Sequence, residues 1–304
     1  MIKKRLKQTI KKSLRKIFNY TFNENIRLLS QVSPVLATKL LHRRRTGEFP
    51  DLKNPIKFND KLQWLKLYWK NPLVARCSDK YEIYNYVEEL GGTSILNNLL
   101  AVYNSVDEIN WDSLPNKFAL KCTHGCGYNI VTKDKAQLDK NQVIKKLDQW
   151  MNETFGQKNL EFHYDEIQPR IILEEYIENE AGLLPIDYKI YCFNGKPKLV
   201  LVCSEREHKL KLDFFDLEWN RLDIGHKKDE SSNKIEKPAS FDDMVKHAEI
   251  LAKPFPFVRV DFYDKDGSAV LGELTFTPAA NMANYYNPYG QRYLGSLLKL
   301  PNKL

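Results

Sequence analysis

The last β-hairpin predicted by the sequence carries one cation and two carboxylates at alternating positions. It reads FPFVRVDFYDKDGSAVLGELTF, residues 255–276. Side chains alternate between the two faces of a strand, so Arg259 and Asp261 share one face, as do Glu273 and Thr275 on the next strand. Hard divalent cations such as Mg²⁺ take carboxylate oxygens as ligands, keep several waters and bridge to substrate phosphates. The hairpin is therefore a candidate site for Mg²⁺ and phosphate groups.

The turn of this hairpin decides which residues face each other. A three-residue loop at 265–267, with its glycine in the left-handed conformation, is a common closure. That loop predicts Arg259 opposite Glu273, with Asp261 diagonal to Glu273 on the same face. One cation and two carboxylates then converge on one side of the hairpin. The alternative is a solvent-exposed, salt-bridged hairpin that binds nothing.

A second candidate is the stretch FALKCTHGCGYNI, residues 118–130, which places Lys121 in an otherwise apolar strand. The loop that follows contains Gly125 and Gly127, whose lack of a side chain lets backbone N–H groups approach a phosphate. The loop lacks the Walker pattern, and its glycines precede no predicted helix. A plain hairpin with an exposed lysine is therefore the alternative to a phosphate-binding loop.

Two further strands carry polar pairs. In ILEEYI, Glu174 and Glu175 end an apolar strand, and the backbone that follows could meet the edge of an adenine ring. In DYKIYCF, Asp187 and Lys189 share one face of the strand. Taken alone, each of these pairs also suits a purely structural role.

Apolar spacing predicts a helical front third, followed by paired strands and two further helices. The predicted helices are 25–41, 58–70, one that begins near Ser78 and ends at 91–92, 135–154 and 241–252. Asn194–Gly195 is a strong hairpin signal between two strands. This order of elements predicts an α+β body of two lobes. We expect a basic arm at 1–22, a helical domain at 23–115, a small lobe with the glycine loop at 116–172 and a large lobe with the metal site at 173–304.

The net charge of +8 belongs to one end of the chain. Residues 1–17 contain eight cations and no acid, and the rest of the chain has 39 basic and 39 acidic side chains. The apolar residues of this arm recur at helical spacing, so a basic amphipathic helix at 1–18 is predicted to lie on an anionic membrane surface. Packing of the arm against the core and binding to nucleic acid are the alternatives. No alternation of basic and aromatic residues continues into the body, so we expect no nucleic-acid partner.

The cysteines and the hydropathy pattern bear on location. Five cysteines with no secretion signal predict free thiols in a reducing compartment, hence a cytoplasmic protein. The basic arm predicts that this protein is peripheral at the inner face of the cytoplasmic membrane. Cys122 and Cys126 lack the further ligands that a zinc site needs. No apolar run approaches the length of a transmembrane helix.

The order of these motifs resembles the ATP-grasp superfamily, in which two α+β lobes hold ATP between them. The segments FNDKLQWLKLY, SDKY, FALKCTHGCGYN, DYKIYCFNG and GELTFTP look like the TupA-like branch in particular, which serves teichuronopeptide and surface-polysaccharide biosynthesis. The resemblance runs from about Pro55 to Asn287. It implies an ATP-grasp fold preceded by a helical region, with ATP and Mg²⁺ as cofactors.

The resemblance also implies a role for each matching residue. The residues implied to contact the ATP phosphates are Lys80, Lys121 and Lys189, with Gly125 and Gly127 in the covering loop. The implied adenine linker is Glu174, Glu175, Tyr176 and Ile177, with Asp187 near the ribose hydroxyls. The implied Mg²⁺ ligands are Asp261, Glu273 and Thr275, and the implied catalytic cations are Arg259, Lys189 and Lys80. Many ATP-grasp enzymes have asparagine where Thr275 stands, and a threonine hydroxyl is a poorer metal ligand.

The activity implied is that of an ATP-dependent carboxylate–amine ligase that forms an amide through an acyl phosphate. By resemblance, the acceptor is a uronic-acid carboxylate of a surface polysaccharide or its precursor, and the partner substrate is an amino acid or another amine. A phosphotransferase that ends at a phosphorylated hydroxyl is one alternative, and a non-catalytic scaffold is another. A glycosyltransferase is suggested by the D-x-D tripeptide at 264–266, but the glycine that follows favours a turn.

Overall fold

Two antiparallel sheets form the body of the chain, as a computed structural model describes it for residues 21–178, 185–205 and 209–302. The first sheet consists of β1 (Leu99–Tyr103), β2 (Phe118–Cys122), β3 (Asn129–Thr132) and β4 (Ile171–Glu175), in the order β1-β4-β2-β3. The second consists of β5 (Asp187–Phe193), β6 (Lys196–Ser204), β7 (Lys211–Asp216), β8 (Phe257–Lys265) and β9 (Ser268–Thr275), in the order β7-β6-β5-β8-β9. The predicted α+β body is confirmed.

Helices precede and cover these sheets. They are α1 (21–32), α2 (Pro34–Thr46), α3 (Phe58–Tyr68), α4 (Pro72–Ser78), α5 (Glu82–Glu89), α6 (Lys140–Met151), α7 (Gly156–Asn159), α8 (Phe241–Ala252) and α9 (Pro288–Leu297). Local signals set their ends: the Ser33 side chain accepts from the N–H of Leu36 at the start of α2, and Gly47, with φ of 87°, ends it. Among the described residues, no helix is long and apolar enough to cross a membrane. The predicted arm at 1–18 lies outside the described residues.

The first sheet extends beyond the limits predicted for the small lobe, 116–172. Strand β1 pairs with β4 although some 70 residues separate them, and β4 runs on to Glu175. Pairing between distant segments closes this sheet, and local apolar spacing does not reveal such pairing. The helix α6 covers this sheet through Val143 and Leu147.

The second sheet is buried on both faces, and side-chain alternation divides its strands between two cores. Even-numbered residues of β5, such as Ile190 and Cys192, pack with α8. Odd-numbered residues, such as Tyr191 and Phe193, pack with Phe58 of α3 and with α9. Asp187 and Lys189 continue the odd-numbered face of β5, so the predicted polar pair lies at the end of an aromatic core.

The β8–β9 hairpin closes differently from the prediction. Its turn has two residues, Asp266 and Gly267, with φ of 54° and 80°, and it pairs Lys265 with Ser268. The predicted three-residue loop was therefore wrong, since both central residues adopt the left-handed conformation of a two-residue turn.

A bulge then restores the shared face. The pairs Phe262–Leu271 and Asp261–Glu273 leave Gly272 without an opposite residue, which shifts the register by one further position. The two changes add to a shift of two residues, and a shift of two keeps every side chain on its original face. Asp261 therefore lies directly opposite Glu273, and Arg259 lies opposite Thr275 rather than Glu273.

Candidate active site

The centre of the candidate site is a buried cluster of charges on β5 and β8. Both oxygens of Asp261 accept from Arg259: Oδ1 from Nε at 2.7 Å and Oδ2 from Nη2 at 2.6 Å. Lys189 Nζ also donates to Asp261 Oδ2 at 2.6 Å and lies 2.5 Å from Asp187 Oδ2. The structure therefore brings together two pairs, Arg259 with Asp261 and Asp187 with Lys189, each of which the sequence placed on one face of a strand.

The two cations of this cluster keep their charge. Burial acts to lower the pKa of Lys189, but the carboxylates of Asp261 and Asp187 outweigh it, and its pKa is raised. The pKa of Arg259 is raised well above its usual value, because Asp261 again outweighs the effect of burial. Fixed positive charge is therefore present at neutral pH, as the binding of phosphate oxygens requires.

Glu273 is the more accessible acid of the site. Its side chain is 36% exposed, whereas that of Asp261 is 3% exposed. Thr275 Oγ1 donates to Glu273 Oε1 at 2.9 Å and accepts from Arg259 Nη2 at 3.1 Å. Burial by the surrounding chain acts to raise the pKa of Glu273, but Lys80, Lys189 and Arg259 together lower it. Glu273 is thus an ionised carboxylate that a cation can reach.

Lys121 connects the first sheet to this cluster. Its ammonium donates to Glu174, which also accepts from Tyr84 Oη at 3.0 Å and is itself buried. Burial acts to lower the pKa of Lys121, but attraction from Glu174, and further from Tyr263 and Glu273, raises it. Since Tyr263 and Glu273 belong to the second sheet, Lys121 is within electrostatic reach of both sheets, and we call the region between them the cleft.

The glycine loop is held by Lys80, whose ammonium donates to the carbonyl oxygen of Gly125. Lys80 also lowers the pKa of Glu273, so its charge acts on the second sheet while its ammonium holds the loop. A Cβ on Gly125 would lie 2.9 Å from the rings of Phe155 and Tyr128, and so only glycine fits there without displacement. Gly127 has φ of 77°, which also favours glycine.

We expect Gly125→Ala to displace this loop and to weaken nucleotide binding. The added methyl group must move two aromatic rings or the backbone that Lys80 holds. Isothermal titration calorimetry with ADP and Mg²⁺, together with a melting curve, measures the effect. The control is Gly47→Asn, at a left-handed helix end with open space around it, which should change neither quantity. An unchanged affinity in Gly125→Ala would show that the loop takes no part in binding.

Part of the predicted adenine linker already makes backbone hydrogen bonds within the chain, so it is not available to a nucleotide. The N–H group of Glu175 donates to Asn98 O at 2.9 Å, and Asn97 Nδ2 donates to Glu175 O at 2.9 Å. The carboxylate of Glu175 lies 3.1 Å from Lys265 Nζ of the second sheet. The N–H of Glu175 is thus taken up by the chain itself. A backbone contact with adenine stays a prediction for Tyr176 and Ile177.

Two observations test whether the site suits ATP and Mg²⁺. Asp187 Oδ1 is buried and has no hydrogen-bond partner, and such an acceptor fits a hydroxyl donor such as that of a ribose. In the described ranges, no three histidine, cysteine, aspartate or glutamate side chains gather as a metal site. Mg²⁺ commonly uses one or two carboxylates plus substrate phosphates, so the facing pair Asp261 and Glu273 meets its needs without a third acid.

Sequence reasoning missed two polar residues near the cleft. Tyr84, on α5, fixes Glu174, and no local pattern distinguishes it from the other tyrosines. Lys66 lies on the apolar side of α3, four residues after Leu62 and three before Trp69. A lysine at that spacing interrupts the apolar stripe of the helix, and this was a usable signal.

The family comparison matches residues 60–299 to the family described as TupA-like ATPgrasp. Among solved structures, D-alanine–D-alanine ligase from Bacillus anthracis is 16% identical, with 73% of this chain and 64% of that chain covered and a TM-score of 0.45. The same enzyme from Helicobacter pylori is 14% identical, with 81% and 68% covered and a TM-score of 0.43. L-amino acid ligase from Bacillus licheniformis is 11% identical, with 68% and 44% covered and a TM-score of 0.40.

Coverage of these solved structures is partial. The chain spans 54% and 64% of the lengths of the two B. anthracis D-alanine–D-alanine ligase chains that it matches. No curated protein matches the sequence.

Proposed function

This chain belongs to the TupA-like ATP-grasp family, as its motifs predicted, and from that membership we propose that it is an ATP-dependent carboxylate–amine ligase. The observation that supports the proposal most directly is the shared cleft. Lys189 and Arg259 of the second sheet lower the pKa of Glu273, and Glu273 in turn raises the pKa of Lys121 of the first sheet. Cations from two lobes around one carboxylate suit a triphosphate with its metal ion.

The proposal gives each part of the cleft a task. Lys80 and Lys121 bind the phosphates beneath the glycine loop, and Lys189 and Arg259 neutralise the phosphoryl group as it is transferred. Asp261, Glu273 and Thr275 would hold Mg²⁺, which would supply Lewis-acid stabilisation of the phosphate oxygens. The catalytic contribution of the chain itself is therefore position and charge, without a covalent nucleophile.

The chemistry proceeds in two steps. An oxygen of the substrate carboxylate bonds to the γ-phosphorus, and the bond from that phosphorus to the β–γ bridging oxygen breaks, which releases ADP. The amine nitrogen then attacks the carbonyl carbon of the acyl phosphate. The carbon–oxygen bond to phosphate breaks, inorganic phosphate leaves, and the nitrogen loses a proton as the amide forms. Arg259 remains beside the phosphate group through both steps.

For the substrates, we propose a uronic-acid carboxylate of a surface polysaccharide or its precursor, joined to an amino acid or another amine. The family supports the saccharide, and the basic arm at 1–18 supports attachment to the anionic inner face of the cytoplasmic membrane, where such precursors are built. The five cysteines are free, which suits the reducing cytoplasm.

The glycosyltransferase alternative loses its support in the structure. Asp264 Oδ1 accepts from the N–H of Gly267 at 3.1 Å, and its Oδ2 accepts from the hydroxyl of Ser240. The first acid of the D-x-D tripeptide thus closes a turn.

A trapping experiment tests the proposed reaction class. The purified chain is incubated with ATP, Mg²⁺, hydroxylamine and one of several uronic acids, and ADP and product mass are measured. We expect an ATP-dependent hydroxamate, because hydroxylamine captures an acyl phosphate, and with amino acids in its place we expect an amide. ADP formation with a phosphorylated hydroxyl and no hydroxamate would instead identify a phosphotransferase.

A further inference from the structure

A cavity lies between the helical front third and the end of β9. Its volume is about 320 Å³, within the range of small-molecule sites. Apolar and aromatic side chains form much of its wall, among them Trp69, Phe162 and Phe276. The charged groups that line it are Lys66 and Lys70 on one side and Glu166 on the other.

Lys66 is the unusual group in this cavity. Its Nζ is buried and has no hydrogen-bond partner, and Nε2 of His163 in the same wall is also buried and without one. A buried ammonium without a partner is costly unless a ligand provides one. Glu161 is the acid whose charge raises the pKa of Lys66. Its carboxylate accepts a hydrogen bond from Thr277 Oγ1 at 2.5 Å rather than from Lys66.

The charge states of these groups favour an anion. Burial lowers the pKa of Lys66 to about 8, with Glu161 opposing, so the ammonium is protonated at neutral pH. Burial, helped by Lys66 and Lys70, lowers the pKa of His163 to about 4, so this imidazole is neutral and can share a hydrogen bond with a ligand. The cavity thus offers one buried cation and one neutral imidazole.

Two elements connect the cavity to the site of phosphoryl transfer. The segment Phe162–Glu166 contributes Phe162 and His163 to the cavity. Tyr164 follows them, and after burial and Glu161 its pKa is influenced by Glu273 and Arg259 of the second sheet. Phe276 and Thr277, which line the cavity, directly follow Thr275 at the end of β9. A molecule in the cavity therefore lies next to the acids of the cleft.

We propose that this cavity binds the carboxylate-bearing saccharide of the ligase reaction, with Lys66 as the counter-charge of its carboxylate; this rests on the proposed function. The aromatic walls offer apolar surfaces to the C–H faces of a pyranose ring, and the buried ammonium recognises the acid on that ring. Lys66 is a binding residue in this scheme, and phosphoryl transfer remains with Lys189 and Arg259.

Chemical protection tests the binding without turnover. An amine with a pKa of about 8 is largely neutral just above that pH, so an acylating reagent small enough to enter the cavity should modify Lys66, and mass spectrometry follows the modification. We expect glucuronate to protect Lys66 in the ATP-free protein and glucose to leave it reactive. Protection by inorganic phosphate but not by glucuronate would show a phosphate site and overturn the saccharide assignment. Equal modification with and without glucuronate also overturns it.

Substitution tests the role in turnover. We expect Lys66→Met to raise the KM for glucuronate about thirtyfold, as for loss of a buried charge partner, while the affinity for ADP with Mg²⁺ stays unchanged. The comparison variant is Lys70→Met, whose exposed charge is screened by solvent and should matter less. Turnover with an unchanged KM in Lys66→Met refutes the inference and leaves the proposed function standing. Protection without any turnover would refute the proposed function and leave the binding site standing.

Stability separates binding from a structural role. The folded-state pKa of Lys66, about 8, lies below its ordinary 10.5, so the folded protein binds this proton less well than the unfolded chain and the charged lysine destabilises the fold below pH 8. Lys66→Met should therefore raise the melting temperature at pH 7 while it weakens glucuronate binding. A lower melting temperature with unchanged binding would mark Lys66 as structural and overturn the inference.

The pH profile gives a second check. Glucuronate binding should weaken above about pH 8, where Lys66 loses its proton, and Lys66→Arg should remove that loss because arginine stays charged. The other charged or titratable groups that line the cavity are Lys70, just after α3, and His163 and Glu166 of the segment Phe162–Glu166. Glu161, which raises the pKa of Lys66 from outside this lining, and these three groups are all retained in the arginine variant. The same pH dependence in both proteins would show that another group is responsible.

Discussion

Glu273→Gln is expected to abolish ATP-dependent product formation while the protein stays folded. The substitution keeps the shape of the side chain and the hydrogen bond from Thr275, but it removes a negative charge that Lys80, Lys189 and Arg259 keep ionised. A metal ion held by two carboxylates would lose one of the two negative charges that the protein provides. We expect turnover to fall at least about a hundredfold, measured as ADP release, because electrostatic contacts to a transferred phosphoryl group have effects of this size.

The matched control is Glu249→Gln, which makes the same chemical change at a half-exposed residue paired with Lys196 on the far side of the second sheet. It should leave turnover and melting temperature close to those of the unaltered protein, since surface ion pairs contribute little. Wild-type turnover in Glu273→Gln would contradict the placement of the metal site, whatever the control shows.

The faces of the four charged residues at the centre of the candidate site were predictable, because each lies in a strand whose side chains alternate between two faces. Arg259 and Asp261 share a face in any register, as do Asp187 and Lys189, and the structure places all four together. The way in which β8 and β9 face each other was not predictable. It depends on a two-residue turn and on the bulge at Gly272, and these two deviations happen to preserve the face.

Contacts between distant segments were the main feature of the structure that the sequence did not predict. The pairing of β1 with β4 and the hydrogen bond from Tyr84 to Glu174 join residues that are 68 to 90 positions apart. No periodicity reports such a contact. The position of Lys66 on the apolar stripe of α3 was visible, but a cavity exists only once α3, α4 and the end of β9 have packed together.

Lys121→Met is expected to damage both stability and nucleotide binding. Glu174 is only 5% exposed, and the variant leaves its carboxylate with the hydroxyl of Tyr84 as its remaining side-chain partner. Removal of one member of a buried ion pair typically costs about 3–5 kcal/mol, so we expect a loss of this order in the free energy of unfolding. Urea denaturation measures that loss, and calorimetry with ADP and Mg²⁺ measures the binding.

The double variant Lys121→Met with Glu174→Gln separates the two effects. It removes the stranded charge and keeps a side chain that can still accept from Tyr84, so most of the lost stability should return. Nucleotide affinity should not return, because the cation that faces Glu273 and Tyr263 across the cleft is still missing. Recovery of both quantities would mean that Lys121 serves only to neutralise Glu174, and the phosphate contact would then have to come from Lys80 and Lys189 alone.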